Sequence, residues 1–290
     1  LFFKNKETFG DIDIICNLGE KFNMDVDEYI HATFEPNEIF HNGNCWSFDY
    51  KEVQVDLITV SAKHYYTNQM YLSYNDLGNF IGRIAQNFGL KYGQEGLWYK
   101  HKFKGSYIGT IPVSMDYAKI YSFFDLDFSG WEEGFNELED IFKFVYKSKY
   151  FSGEKFQMDQ LNKINRDRNA KRASYTSLLD WIDVQPEKRY EFAEKDAYVL
   201  QIEDAFPESN LIEEIRRLEY EHCKKLYIKS KFSGKHIMET YNIQGKELGI
   251  AITEFKEFIE SFYRWDFETF ILDAQKADIF GHFENYLKHR

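Results

Sequence analysis

The chain has 290 residues, enough for one large domain or two ordinary ones at roughly 100–200 residues each. It is 43% hydrophobic, which excludes a chain too polar to bury a core. Its formal net charge of -12 excludes a grip on nucleic acid by the surface as a whole, so any basic patch has to be local.

Residues 1–70 read as β-rich. Asp11 to Cys16 (DIDIIC) alternates and then runs apolar, as a buried strand does. The HNGN stretch within Glu38 to Tyr50 predicts a hairpin. Lys51 to Val60 (KEVQVDLITV) sets Val53, Val55 and Leu57 on one face and Gln54, Asp56 and Ile58 on the other. Asp76 to Gly89 predicts a helix: Asp76 can cap it, Leu77, Phe80, Ile81, Ile84 and Phe88 follow helical spacing, and Gly89 ends it. Gly93 to Ile111 reads as short strands and turns, and Asp116 to Phe124 as a short helix. Beyond about residue 130 helical periods dominate, with helices expected over 132–147, 157–183, 187–203, 208–228, 245–263 and 265–288. In the fifth, Leu248, Ile252, Phe255, Ile259 and Phe262 form one stripe. The expected fold class is α+β: a mixed sheet with helices over residues 1–130, then an all-helical domain over 131–290.

Asp11 and Asp13 lie two apart on one strand, so both point to one face. Gly10 precedes them and lets a backbone or phosphate approach closely. Asp56 sits on a second apolar strand, which sheet pairing can bring alongside. Three carboxylates on one face repel unless a cation neutralises them, and hard oxygen ligands suit two Mg²⁺ or Mn²⁺ ions. Two such ions about 3.5–4 Å apart clamp an in-line phosphoryl displacement. The bland alternative is ordinary solvent-facing alternation.

Several motifs in order resemble a known family. Lys4 to Cys16 (KNKETFGDIDIIC) resembles the palm motif of the family X DNA polymerases, of the polymerase beta-like nucleotidyltransferase superfamily. Val53 to Ile58 (VQVDLI) is similar to its third-aspartate strand, and Tyr71 to Arg83 (YLSYNDLGNFIGR) to the segment leading into its nucleotide-binding helix. Gly89 to Trp98 falls where the thumb strands begin. Ile111 to Val113 and Ile120 to Leu126 resemble the closing stretch, so the resemblance covers roughly residues 1–130.

The resemblance implies a palm and thumb-like domain in which Asp11, Asp13 and Asp56 bind the metals. It implies that Lys4 faces the triphosphate, that Tyr71, Asp76 and Asn79 contact sugar and base, and that Arg83 reaches toward a template or minor groove. The implied activity is transfer of a nucleoside monophosphate from an NTP or dNTP to a 3′-hydroxyl of DNA or RNA, with release of pyrophosphate. A protein or small-molecule acceptor, or a catalytically degenerate nucleotide-binding scaffold, remain alternatives. The chain departs from the family pattern twice. The family's Gly-Ser pair would fall just before and at Leu1, which has no hydroxyl. Tyr74 stands where the family has a glycine in the sugar-contacting turn, which should alter reading of the nucleotide's 2′ position. Ser233 to Phe258 resembles, over a short stretch, the tail of tRNA CCA-adding enzymes and related poly(A) polymerases, and is equally read as a plain helical hairpin.

Lys163, Arg166, Arg168, Lys171 and Arg172, with Arg189 later, form the densest basic stretch, either a phosphate grip or a solvated helix face. His64, His101 and His282 show no zinc spacing and read as packing or surface residues. Tyr65, Tyr66 and Trp98 could stack on a base, while Trp131, Trp181 and Trp265 read as core. Cys16, Cys45 and Cys223 are scattered, which points to a reducing cytoplasm. The bias toward Lys, Asn, Ile, Phe and Tyr is that of an AT-rich genome, a virus or a low-GC bacterium; a viral chain would work in its host's cytoplasm. No apolar run reaches the roughly 18–20 residues of a membrane helix, no signal peptide opens the chain, and the first residue, Leu1, sets the expected natural start upstream. The residues carry no sign of oligomeric state.

Overall fold

The structure is a computed structural model describing residues 1–19 and 24–290. Its contacts divide the chain into two compact units, Leu1–Glu213 and Glu214–Arg290.

The first unit opens on a mixed sheet. Strand β1 (Asp11–Cys16) is followed by helix α1 (Val26–Phe34), then β2 (Ile39–Asn42), β3 (Cys45–Tyr50) and β4 (Val53–Thr59). The strand order is β1-β4-β3-β2, with β1 parallel to β4 and the other pairs antiparallel. The expected hairpin is β2–β3, and its two-residue loop is Gly43–Asn44, with Gly43 at φ +66°. The β3–β4 hairpin turns on Lys51 and Glu52, both at positive φ, the backbone that matches strand twist.

Helix α1 does not figure among the expected elements, although its signals are there. Asp25 caps it by accepting from the Asp27 and Glu28 amides, and Val26, Ile30 and Phe34 share a face. Ile30 is fully buried against Phe48 and Val55, so α1 covers one face of the sheet. The expectation of a buried strand at Asp11–Cys16 is corrected. Among the described residues β1 is an edge strand paired only with β4, and Ile12 and Ile14 are exposed.

Helices α2 (Tyr65–Leu72) and α3 (Leu77–Asn87) lead to a second, antiparallel sheet of β5 (Leu90–Gly93), β6 (Gly96–Phe103) and β7 (Ser106–Ser114). α3 is the centre of the unit: Leu77, Phe80, Ile81, Ile84 and Ala85 are all buried, as is Phe88 just past its end. Its glycine Gly78 has a packing reason. A Cβ there would lie 2.4 Å from the Tyr71 carbonyl oxygen and 2.9 Å from the Tyr71 ring. Gly78→Ala therefore forces α2 and α3 apart and is expected to cost about 2–3 kcal/mol, as overpacked cores do. Chemical denaturation checks this; a midpoint unchanged from wild type would refute it.

The rest of the unit is helical: α4 (Tyr117–Phe123), α5 (Phe128–Glu133), α6 (Leu138–Lys147), α7 (Lys163–Asn169), α8 (Ala173–Asp183) and α9 (Val199–Ala205). Several expected helices are shorter or split. Gly134 at φ +81° separates α5 from α6. The expected 157–183 helix is broken at 170–172, and non-helical chain replaces most of 184–194. The boundary expected near residue 130 also differs from the contact division. Phe142 and Tyr175 rings stand 5.9 and 6.0 Å from Phe80, and Lys155 O accepts from Arg83, so residues 131–213 pack on α3 and belong with the sheets.

Helix α10 (Leu211–Lys231) runs from the end of the first unit into the second, which continues with α11 (Gly234–Tyr241), α12 (Gly245–Phe262), α13 (Phe267–Asp273) and α14 (Lys276–His289). Its core is Phe232, Ile237, Ala251, Phe255, Ile259, Phe270, Ile271, Ile279, Phe283 and Tyr286. In the stripe expected on α12, Phe255 and Ile259 are fully buried and Leu248 and Ile252 partly so, but Phe262 is exposed. Ala251 is fully buried as well, and Phe262 is the last residue of the helix. Trp265, expected in the core, is 45% exposed, whereas Trp131 is buried. Among the described residues no helix is long and apolar enough to cross a membrane.

Candidate active site

The register of β1 on β4 sets Asp13 opposite Asp56 and Asp11 opposite Gln54. Parallel neighbours in register point the same way, so Asp11, Asp13 and Asp56 share one face. It is the face away from α1, because Val55, one residue before Asp56, is buried under that helix. Ser47 lies opposite Asp56 on β3, and the Cys45 thiol two residues earlier feels the charges of Asp56 and Asp13. Gln54 Nε2 donates to Asp56 Oδ1 at 3.0 Å. Ser47, Cys45 and Gln54 border the carboxylates without having been singled out from the sequence. Gln54 follows from the alternation of β4 alone, whereas finding Ser47 and Cys45 requires knowing that β3 and β4 pair, which no single strand discloses.

The Asp13 carboxyl is held above the usual carboxylate range. Lost solvent is the largest cause, the charges of Asp11 and Asp56 add to it, and Lys6 opposes it. Lys6, whose ammonium lies 4.7 Å from the centre of the Phe9 ring, is thus a cation whose charge reaches the carboxylates. As they stand, no group of three His, Cys, Asp or Glu among the described residues is close enough around one point to hold a metal ion.

The raised Asp13 value carries a consequence for stability. Folding disfavours the charged form, so its effect is unfavourable above the raised folded value and vanishes below the unfolded value, near 3.8. In metal-free buffer, Asp13→Asn is expected to melt above wild type at pH 7. The gap should close as pH falls through the raised Asp13 value toward 3.8. Scanning calorimetry across that range reads it; a variant melting below wild type at pH 7 would contradict the repulsion.

A turn borders this face. Leu1 lies within electrostatic reach of Asp13, and Leu1 O accepts from the Tyr74 amide at 2.9 Å. Tyr74 and Asn75 hold φ values of +56° and +61°. The Tyr74 ring does not face the site, contrary to the expectation of a role at the 2′ position. It is buried edge-on against Trp131 and Phe135, at 5.7 and 4.8 Å. The Lys4 amide donates to Phe135 O, which pins this segment to the α5–α6 loop. Gly10 is exposed with open space where a Cβ would be, so no close approach within the chain demands a glycine there.

At the start of α3 the expected nucleotide residues meet the basic stretch. Asp76 is 2% exposed, and its carboxylate accepts from Arg172 Nη1 and Ser174 Oγ. It does not cap α3 through its side chain. Arg168 Nη2 donates to Asn79 Oδ1 at 2.9 Å, and Asn79 Nδ2 donates to Asn169 Oδ1 at 3.3 Å. The Tyr71 phenol is pushed up by burial, while Arg168 and Arg172 pull it down. Tyr71, Asp76 and Asn79 therefore lie close to Arg168 and Arg172, with Asp76 committed to an internal ion pair.

Arg83 is corrected more sharply. Expected to reach toward a template or minor groove, it is buried and donates to Gln86 Oε1 at 2.6 Å and Lys155 O at 2.5 Å. Lys163 and Arg166 lie on α7 and Lys171 in the break after it, so the continuous helical face expected for them is absent; all three are exposed. Arg189 is drawn to Glu154 at 3.7 Å. Comparison with family models, with curated proteins and with solved structures gives no match to this chain.

Proposed function

We propose that the chain is a metal-dependent nucleotidyltransferase of the polymerase beta-like kind, with Asp11, Asp13 and Asp56 as its metal-binding carboxylates. The observation that carries this reading is the β1–β4 register, which faces Asp13 to Asp56 with Asp11 on the same side. The donor set suits Mg²⁺ or Mn²⁺: three carboxylates on one face, where lost solvent first and the charges of Asp11 and Asp56 second raise Asp13. Bound there, two ions would polarise the phosphoryl group and lower the pKa of an acceptor hydroxyl. To close on a cation, Asp56 has to release Gln54.

The chain's own cations would handle the triphosphate. Lys6 stands near the carboxylates and Arg168 beside Asn79 and Tyr71, which brackets the turn at Ser73–Asp76. Fixed positive groups aimed at developing charge are the usual source of rate in such transfers.

The acceptor is proposed to be a nucleic-acid 3′-hydroxyl. A protein or small-molecule acceptor is favoured by one observation: Arg83 and Arg172 are spent on internal contacts, which thins the basic surface of a chain with net charge -12. Labelled NTPs and dNTPs incubated with RNA, DNA and protein acceptors, with Mg²⁺ or EDTA, separate the two. Metal-dependent label on an oligonucleotide supports the first reading, and label only on protein or a small molecule the second. Neither transfer nor nucleotide binding would leave a degenerate scaffold.

A further inference from the structure

A second feature of the first unit lies apart from the carboxylates. A cleft of about 650 Å³ is walled by the end of β4, by α2 and by the β5–β6 hairpin, and its lining does not include Asp11, Asp13 or Asp56. Four of its lining residues carry buried polar atoms with no hydrogen-bond partner among the described residues: Asn68 Oδ1, His64 Nδ1, Trp98 Nε1 and the Tyr92 hydroxyl, the last of which is packed among the hydroxyls of Tyr117 and Tyr121. Asn68 is 3% exposed, and its Nδ2 donates to the carbonyls of His64 and Gln94 at 2.9 and 3.2 Å. Those two carbonyls fix the amide's orientation, so Oδ1 is the free end. Buried polar atoms in native proteins nearly always find a partner. With Tyr92 turned to its tyrosine neighbours, the atoms of Asn68, His64 and Trp98 around one cleft call for a partner from outside.

Their chemistry narrows it. Asn68 Oδ1 only accepts, Trp98 Nε1 only donates, and His64 Nδ1 does either according to tautomer. A simple anion would satisfy Trp98 but meet the Asn68 oxygen, and a simple cation would do the reverse. Lys91 and Glu95 also line the cleft and offset one another, so net charge does not select the ligand. A flat neutral ring with donor and acceptor side by side satisfies the set, and the Trp98 and Tyr71 rings are there for it to stack on.

We propose that this cleft binds an unpaired nucleobase. That the base belongs to an acceptor strand rests on the nucleotidyl-transfer reading; the binding of a base does not.

The test uses the whole chain in EDTA, so that binding cannot pass through a metal. Nucleoside monophosphates, a single-stranded oligonucleotide, a duplex, ribose 5-phosphate and inorganic phosphate are titrated by calorimetry and tryptophan fluorescence. The expected result is millimolar or tighter binding of nucleotide and single strand, little binding of the duplex, and none of the two base-free phosphates. Trp98→Phe and Asn68→Ala should each weaken binding about tenfold or more. Because Asn68 also ties α2 to Gln94, His64→Phe serves as a further variant, with melting curves showing that each is folded. Base-free phosphate binding as well as nucleotide, no binding at millimolar concentration, or folded variants that bind like wild type would each overturn the proposal. Base binding without transfer activity would uphold the cleft and remove only its link to an acceptor strand.

Discussion

Asp56→Asn and Asp13→Asn are each expected to abolish most nucleotidyl transfer while the chain stays folded. The argument runs from register to charge. Asp13 and Asp56 face each other across the β1–β4 ladder, and no apolar contact of the α1 core depends on either carboxylate. Losing one carboxylate from a metal site removes several kcal/mol of transition-state stabilisation; about 4 kcal/mol corresponds to roughly 10³-fold in rate. Stability should move the other way, because relief of repulsion favours folding. Activity that falls while the melting temperature holds or rises separates a metal site from a structural role. A structural pair would lose both together. Turnover undiminished in both variants would sink the nucleotidyltransferase reading. Added Mg²⁺ should raise the melting temperature of wild type more than that of either variant, by mass action on the folded state.

The carboxylate site was legible because strand alternation is local. A two-residue period puts Asp11 and Asp13 on one face without knowledge of any partner. That β4 lies beside β1 is not local, because the pairing joins strands with α1 and the β2–β3 hairpin between them. Helix α3 was legible for the same reason as the aspartates: its apolar residues repeat every turn, and Gly89 ends them. What could not be read was where polar side chains spend their charge. Arg83 and Arg172 look like free cations in a sequence, yet one serves a carbonyl on 155 and the other a carboxylate 96 positions away. Such contacts depend on how residues 150–175 fold back on α3, which no local period encodes. The same fold-back moves the edge of the first unit from about 130 to 213. The miss of α1 is of another kind: nine residues offer too few turns for a period to stand out, though Asp25 marks the cap.

Arg172→Met is expected to destabilise the first unit by about 3 kcal/mol, the lower end of the cost of breaking a buried ion pair by removing one partner. The pair is one-sided. The Asp76 side chain is 2% exposed and that of Arg172 is 44% exposed, so each loss strands a different group. Without Arg172, a carboxylate stays buried with Ser174 as its remaining side-chain donor. Without Asp76, the guanidinium can turn to water. Asp76→Asn should therefore cost less, about 1–2 kcal/mol, and the double variant less than the sum, because the two residues interact directly. A loss near 3 kcal/mol lowers the melting temperature by roughly 6–12 °C in a domain of this size. The alternative reading, in which Arg172 grips phosphate from outside, makes the opposite forecast: weaker, less salt-dependent binding of nucleic acid with little change in melting. Lys163, Arg166 and Lys171 provide the contrast, since all three are exposed. Substituting them should change any phosphate grip and leave stability alone. A melting temperature for Arg172→Met equal to that of Arg166→Met would show that the Asp76 pair does not hold α3 to the 170–174 segment.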